Sequence, residues 1–377
     1  MRIFINAIGS TVGGGVTYLK GLIHGLAKVD DANEYVVGVR ADRAGFYDVA
    51  APNFRFAVYD LPSRTMPVRF LWEQVFQPRE MTRLGADLLF MPHSYGSARP
   101  GVPQVVCLQV PYPVQEYATT AYHKLRWAMR NRMLKMSIAR TTTFITVSDD
   151  LRRVVHRMFG IPLDRMVPIH HGADLHFAPG DPAAARARVE AALGVRGRYL
   201  LTVSDLYVHK NYMNLVRAFD LARDRLGERK LVVAGDLTDK KEWARIEAFL
   251  REKRLELAVL FLGRIGWDKL KDLYVGADGF VFPSQHETFG LPPLEAMASG
   301  VPVAVSNSSC MPEICGDAAR YFDPDDARDI ADAMIELATD DARRASLVAR
   351  GFSRAKEFTW EKCARKHREV FEGAGKR

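Results

Sequence analysis

Short apolar runs alternate with longer amphipathic stretches along nearly the whole chain. The runs at 2–7 (RIFINA), 35–40, 54–59, 87–91 (DLLFM), 105–110 (VVCLQV) and 143–147 predict buried strands. A strand covered on both faces reads as continuous rather than alternating hydrophobicity. A second series at 199–204, 231–234, 259–262, 280–282 and 301–305 alternates with helical patterns at 213–225, 240–253 and 267–275. Strand–helix alternation of this kind predicts a doubly wound parallel sheet in each half of the chain. The strand at 143–147 is expected to close the first sheet, with Ser148 or Asp149 capping the next helix. Residues 167–169 are expected to begin the crossing to the second half. A helix at 183–193 opens that half, and an amphipathic helix at 361–371 ends the chain.

Candidate chemistry concentrates at 284–299, SQHETFGLPPLEAMAS, directly after the run at 279–283. Strand, loop and helix in that order form the ligand-facing edge of a parallel sheet. Pro292 and Pro293 suit a helix start, where a missing N–H costs nothing. The backbone N–H groups of Thr288, Phe289, Gly290 and Leu291 then lie near a helix N-terminus, a setting that binds phosphate oxygens. Glu287 falls in the loop, and Glu295 is expected in the first turn of the helix. A carboxylate is a poor phosphate ligand but a good acceptor for sugar hydroxyls. The stretch therefore reads as a site for a sugar joined to a phosphate, against the plainer reading of a helix N-terminus carrying Glu for its dipole.

Written out, HETFGLPPLEAMASGVPV closely resembles the E-x(7)-E donor motif of glycosyltransferase family 4, the retaining glycosyl transferases group 1 of the GT-B fold. GGGVTYLKGLIHGL at 13–26 resembles that family's N-terminal glycine loop and helix. TFITVSDDLRRVV at 143–155, VPIHHGAD at 167–174 and LLTVSDLYVHKNYMNLVRAF at 200–219 match further segments in family order. The resemblance implies two Rossmann-like domains facing a cleft. An acceptor-side domain would span 1–175 and a nucleotide-sugar domain 176–358, with a helix at 359–377 crossing back to the first domain. By the same resemblance, Gly14 and Gly15 face the donor diphosphate, Lys210 is its phosphate lysine, and the loop at Gly263 and Arg264 packs on the nucleobase. Glu287 holds the sugar and Glu295 the ribose hydroxyls. Ser204 stands where many members carry an arginine, which places more of the leaving-group neutralisation on Lys210. Gln109 stands where many carry a histidine. Its amide can hydrogen-bond sugar hydroxyls but cannot take a proton, so no general base is assigned; Tyr112 is grouped with it on the acceptor side.

Composition narrows the field. The 377 residues suffice for two cored domains, at 48% hydrophobic and 26% charged residues. Four scattered cysteines lack zinc-site spacing and point to thiols in a reducing compartment. The N-terminus reads as a strand rather than a signal peptide, and no run reaches membrane-spanning length. A cytoplasmic enzyme, peripheral on the inner face of the membrane, is therefore expected. The net charge of +8 favours anionic partners. Residues 117–148 contain no Asp or Glu and place Lys124, Arg126, Arg130 and Arg132 beside Trp127. That mixture suits an anionic membrane surface or single-stranded nucleic acid, or is simply a solvated helix face; the resemblance favours the membrane.

The expected activity is retaining transfer of a hexose, first of all mannose from GDP-mannose, to a glycan or lipid-linked acceptor in bacterial surface polysaccharide synthesis. No metal or other cofactor is expected, and no nucleic acid. A non-catalytic nucleotide-sugar binder and a basic nucleic-acid binder are the competing readings. His170 and His171 are adjacent and read as a turn rather than metal ligands, Asp323-Pro-Asp325 reads as turn chemistry, and 307–313 reads as a loop.

Overall fold

The computed structural model describes residues 1–9, 14–47, 49–61, 66–109, 121–174 and 176–376, except for the side chains of 66, 67, 121–123 and 126. The chain forms two compact units, one made of 1–172 and 358–377, the other of 173–357.

The first unit holds seven strands: β1 (Arg2–Asn6), β2 (Glu34–Arg40), β3 (Phe54–Tyr59), β4 (Leu88–Met91), β5 (Gln104–Leu108), β6 (Thr143–Thr146) and β7 (Met166–Pro168). They pair in parallel in the order β3-β2-β1-β4-β5-β6-β7. The sheet therefore does not close at β6, as the sequence suggested. Ile145 pairs with Val167 and Thr146 with Pro168, so the segment expected to begin the crossing is an edge strand. Three residues ending in proline carry too little pattern to announce a strand, and an edge is where proline is tolerated.

The helix Gly14–Val29 takes both candidate glycines into its first turn, rather than leaving them in a loop. Its buried face meets the helix Trp360–Gly375. The Trp360 ring covers Gly21, and the Trp360 carbonyl oxygen would lie 2.6 Å from a Cβ at Gly25. Tyr18 Oη is 2.7 Å from His367 Nε2, and Phe371 packs on Phe90 at 5.1 Å between ring centroids. The two adjacent histidines join this layer: His171 lies 5.8 Å from the Trp360 ring and His170 lies 5.4 Å from Phe358. Burial holds the His171 imidazole down at about 3.

The second unit holds β8 (Tyr199–Val203), β9 (Lys230–Ala234), β10 (Val259–Phe261), β11 (Gly279–Phe282), β12 (Val303–Ser306) and β13 (Ala319–Phe322), all parallel, in the order β10-β9-β8-β11-β12-β13. Its core is aliphatic, built on Leu200, Leu231, Val281 and Leu337 with Phe219. Asp181, Asp239, Asp326 and Asp340 each cap a helix through the carboxylate, each contributing about 1 kcal/mol. The expected loop at 307–313 gives way to a short helix, Met311–Cys315.

Replacing Gly25 by Ala tests the helix contact. Alanine gains about 1 kcal/mol in helix propensity, but its Cβ meets backbone that cannot swing aside. We expect Gly25→Ala to lower stability by about 1–3 kcal/mol in urea unfolding; equal or higher stability would contradict the close approach.

Candidate functional site

Parallel strands deliver their following loops to one edge. In the second unit the loops after β8, β11 and β13 meet there. The segment 204–211 leaves β8 and ends in a single 3-10 turn, Val208–Lys210, with Asn211 left-handed at φ 61°. The Asn211 amide is buried and donates to the carbonyls of Pro283 (3.3 Å) and Pro324 (2.6 Å). It thereby ties the β8 loop to those of β11 and β13. The Gln285 N–H donates to the His209 carbonyl at 2.8 Å.

This stitching sets Lys210 against Glu287. The ammonium donates to Glu287 Oε1, and both side chains are largely buried, at 15% and 13% exposure. Lys210 also lies 5.5 Å from the centre of the Phe282 ring. The Glu287 N–H donates to Ser309 Oγ at 3.0 Å. Burial and then the Lys210 charge push the neighbouring His209 down to about 4. Gly290 follows at φ 90°, a conformation that glycine alone adopts easily, and a Cβ there would meet Met311 Cε at 2.4 Å. It starts the helix Leu291–Ala298, with proline in the first turn as expected. Thr288 is half-buried, while the Phe289 side chain is buried and leaves only its backbone to face a ligand.

Glu295 is the fifth residue of that helix, one turn deeper than the sequence suggested. It is 8% exposed and accepts a 2.8 Å hydrogen bond from Tyr274 Oη. Burial raises its carboxyl to about 7, with the Tyr274 hydrogen bond pulling the other way. Tyr274 was not legible as part of this site. It lies near the end of an ordinary amphipathic helix, Trp267–Val275, and only the fold brings it to Glu295.

The remaining candidates divide between the units. Ser204 Oγ is 2.9 Å from Tyr212 Oη, which donates to the Ser204 carbonyl at 2.7 Å. The Gly263 carbonyl accepts from the Gly235 N–H at 2.9 Å. Exposed Arg264 bridges to Asp236 at 2.6 Å and Asp205 at 3.8 Å, so its side chain is committed to carboxylates and its loop offers mainly backbone. In the first unit, the Gln109 amide donates to the Pro92 carbonyl at 2.9 Å. The Gly9 N–H donates to His93 Nε2 at 3.3 Å, so the half-buried His93 is a partner of the segment that leads into the glycines. Gly14 is exposed, with nothing within 4 Å of a Cβ built on it, and Gly15 is half-buried. Tyr112 lies outside the described residues, as does the side chain of Arg126. Lys124 and Leu125 are exposed on the helix Ala121–Ile138, and on the same helix the Arg130 guanidinium stacks 4.8 Å from the Trp127 ring. Arg132 lines a shallow depression on the same helix with Lys135 and exposed Met136. Among the described residues, no cluster of His, Cys, Asp or Glu could hold a metal ion, and no helix is long and apolar enough to cross a membrane.

Comparison with known proteins fits this geometry. The family described as Glycosyltransferase Family 4 matches residues 12–177, and that described as Glycosyl transferases group 1 matches 185–354. The O-antigen chain mannosyltransferase B of Escherichia coli is 32% identical over 256 residues, 67% of this chain and 66% of that protein. The serotype-specific mannosyltransferase WbdA of Escherichia coli is 29% identical over 227 residues, 60% of this chain. The match spans 28% of WbdA, so both relatives extend well beyond the aligned region. The crystal structure of Anabaena Alr3699/HepE in complex with UDP and glucose superposes with a TM-score of 0.75 over 99% of this chain and 100% of that one, at 16% identity.

The Tyr274–Glu295 pair makes a pH-dependent prediction. Because the folded chain holds the Glu295 proton more tightly than the unfolded chain, its contribution is complete below about 4.5 and is lost as pH rises to about 7. In Tyr274→Phe the carboxylate loses its donor, and the decline should extend above pH 7 in urea unfolding measured from pH 5 to 8. A profile identical to that of the parent would refute the coupling.

Proposed function

We propose that this chain, which belongs to the family 4 glycosyltransferases of the GT-B fold, moves a hexose from a nucleoside-diphosphate sugar to a glycan or lipid-linked acceptor in polysaccharide synthesis, with retention. The observation that carries the reading is the Lys210–Glu287 pair at the carboxyl edge of the second sheet. A sugar diphosphate offers each member a new partner: phosphate oxygens for the ammonium, sugar hydroxyls for the carboxylate. The names of the matched mannosyltransferases support mannose as the sugar, and GDP-mannose is the donor to test first.

The hard step is departure of the nucleoside diphosphate. Lys210 and the backbone N–H groups of 288–291 would stabilise the charge that develops on the leaving phosphate. Glu287 would orient the sugar, which is where most of its contribution lies. Glu295, half-ionised near neutrality, would accept from the ribose hydroxyls. This reading assigns charge neutralisation to side chain and backbone rather than to a metal ion. It also accommodates Gln109, since the leaving phosphate can itself help deprotonate the acceptor. The basic helix Ala121–Ile138, with Leu125 and Met136 exposed among Lys124, Arg130 and Arg132, would meet an anionic bilayer at the cytoplasmic face.

Calorimetric titration with GDP, UDP and dTDP, with a chelator present, tests the donor reading. One base should bind, and Glu295→Ala should weaken it by roughly tenfold, the effect of losing about one charge-assisted hydrogen bond. Lys210→Ala and Glu287→Ala should each lose at least about 99% of turnover, corresponding to roughly 3 kcal/mol of transition-state stabilisation, while remaining folded by circular dichroism. Near-parental turnover in either variant, or no nucleotide binding by the folded protein, would overturn the assignment. For the membrane reading, neutralising Lys124, Arg130 and Arg132 together should reduce co-sedimentation with phosphatidylglycerol vesicles at low salt; unchanged sedimentation would remove it.

A further inference from the structure

A cavity of about 500 Å³ opens at the opposite edge of the second unit's sheet, where its strands begin. Arg198 precedes β8, Asp278 precedes β11 and Pro302 precedes β12, so the cavity lies a full strand length from the Lys210–Glu287 edge. The volume falls within the range of small-molecule sites.

Its charge is unusual for a structural crevice. Asp278 is 2% exposed and draws Arg198 at 2.7 Å, Arg229 at 2.8 Å and Arg186 at 3.9 Å. A buried carboxylate needs a partner, and Asp278 Oδ2 takes the Nε groups of both Arg198 and Arg229. Arg229 is consumed by the fold, since its other nitrogens donate to the carbonyls of Leu226 and Ala338, each at 3.0 Å. Arg198 places its Nε on Asp278 and keeps its side chain 49% exposed, and Arg186 lines the same cavity. Arg344 also lines the cavity; its Nη1 meets Asp341, an exposed carboxylate at the same cavity, at 3.1 Å, and its buried Nε has no hydrogen-bond partner.

A second observation points to a ligand. Ser299 lines the same cavity at 4% exposure, and its hydroxyl oxygen is buried without a hydrogen-bond partner. An unsatisfied buried hydroxyl costs about 1–3 kcal/mol. A hydroxyl and guanidinium N–H groups around one space form a donor set with surplus positive charge, suited to a tetrahedral oxyanion. Val275, Val348 and Phe352 supply an apolar wall beside it.

We propose that this cavity is a second ligand site, independent of the donor edge, that binds a small phosphorylated metabolite. Its phosphate is held by Arg198, Arg344 and the Ser299 hydroxyl, and its body lies against Val275, Val348 and Phe352. Two sources share this chemistry, free phosphate and a sugar phosphate.

The test is calorimetry on the full chain in a Lys210→Ala background, which removes the cation of the donor edge. The probes are inorganic phosphate, mannose 6-phosphate and mannose. Saturable binding of mannose 6-phosphate is expected, with none of mannose; weaker binding of inorganic phosphate identifies the sugar phosphate as the better occupant, and equal binding identifies phosphate alone. Adding Arg344→Ala should weaken binding roughly tenfold, and hydrogen exchange should slow at 299–302 and 341–348 on binding. Arg198→Ala should weaken it similarly. Should that variant fail to fold, Arg344→Ala, which removes the ion pair with the exposed Asp341, decides alone. Absence of phosphate binding in the Lys210→Ala background, or binding unchanged by Arg344→Ala, overturns the proposal and leaves the donor-edge reading untouched.

Discussion

The candidate site depends on the hydrogen bonds that tie three loops together, above all those of the buried Asn211 amide. Parallel strands send their loops to the same edge, but nothing in strand pairing fixes those loops to one another. Asn211 does so, donating to backbone carbonyls of two loops that lie 72 and 113 residues away in sequence. A buried carbonyl left without a donor costs about 1–3 kcal/mol, so the three loops are held in one arrangement by satisfied backbone. The left-handed conformation of Asn211 then starts the helix Tyr212–Leu226 and leaves Lys210 pointing along the edge toward Glu287. Asparagine suits both tasks: it tolerates φ near +60°, and its side chain carries the N–H groups that the loops require.

The two glutamates show how eight residues of separation yield different chemistry. Glu287 lies before the helix, where it meets an ammonium. Glu295 lies one turn inside it, facing the core, where a tyrosine hydroxyl donates to it and burial carries its carboxyl to about 7. The same residue type becomes a partner for a cation in one setting and a half-protonated acceptor in the other. Environment rather than identity assigns the roles, as in other sites that use paired carboxylates.

Much of this was legible because it is local. Continuous apolar runs such as LLFM at 88–91 and GFVF at 279–282 announce buried parallel strands, and a glycine followed closely by a proline pair marks the helix start at 291. The parts that escaped are those set by distant packing or by too few residues. β7 is three residues at an edge. Asn211 and Tyr274 look ordinary until the fold brings them to Pro324 and Glu295. The adjacent histidines at 170–171 read as a turn, yet they pack against Trp360 and Phe358, nearly 190 residues away in sequence. The Gly25 contact belongs to the same class, since a helix glycine lowers propensity and its reason appears only when Trp360 is seen against it.

The arginines around Asp278 extend the argument to the other end of the sheet. Arg186, Arg198 and Arg229 come from three separate segments, none of which forms a basic run. Arg229 is the most buried of them, at 16% exposure, and its nitrogens are divided between Asp278 and two backbone carbonyls. Arg198 pairs with the same carboxylate but stays half-exposed at the cavity, and Arg344 lines the cavity from a fourth segment. A half-exposed guanidinium keeps N–H groups that a single carboxylate oxygen does not use, and an oxyanion in the proposed site would be their acceptor.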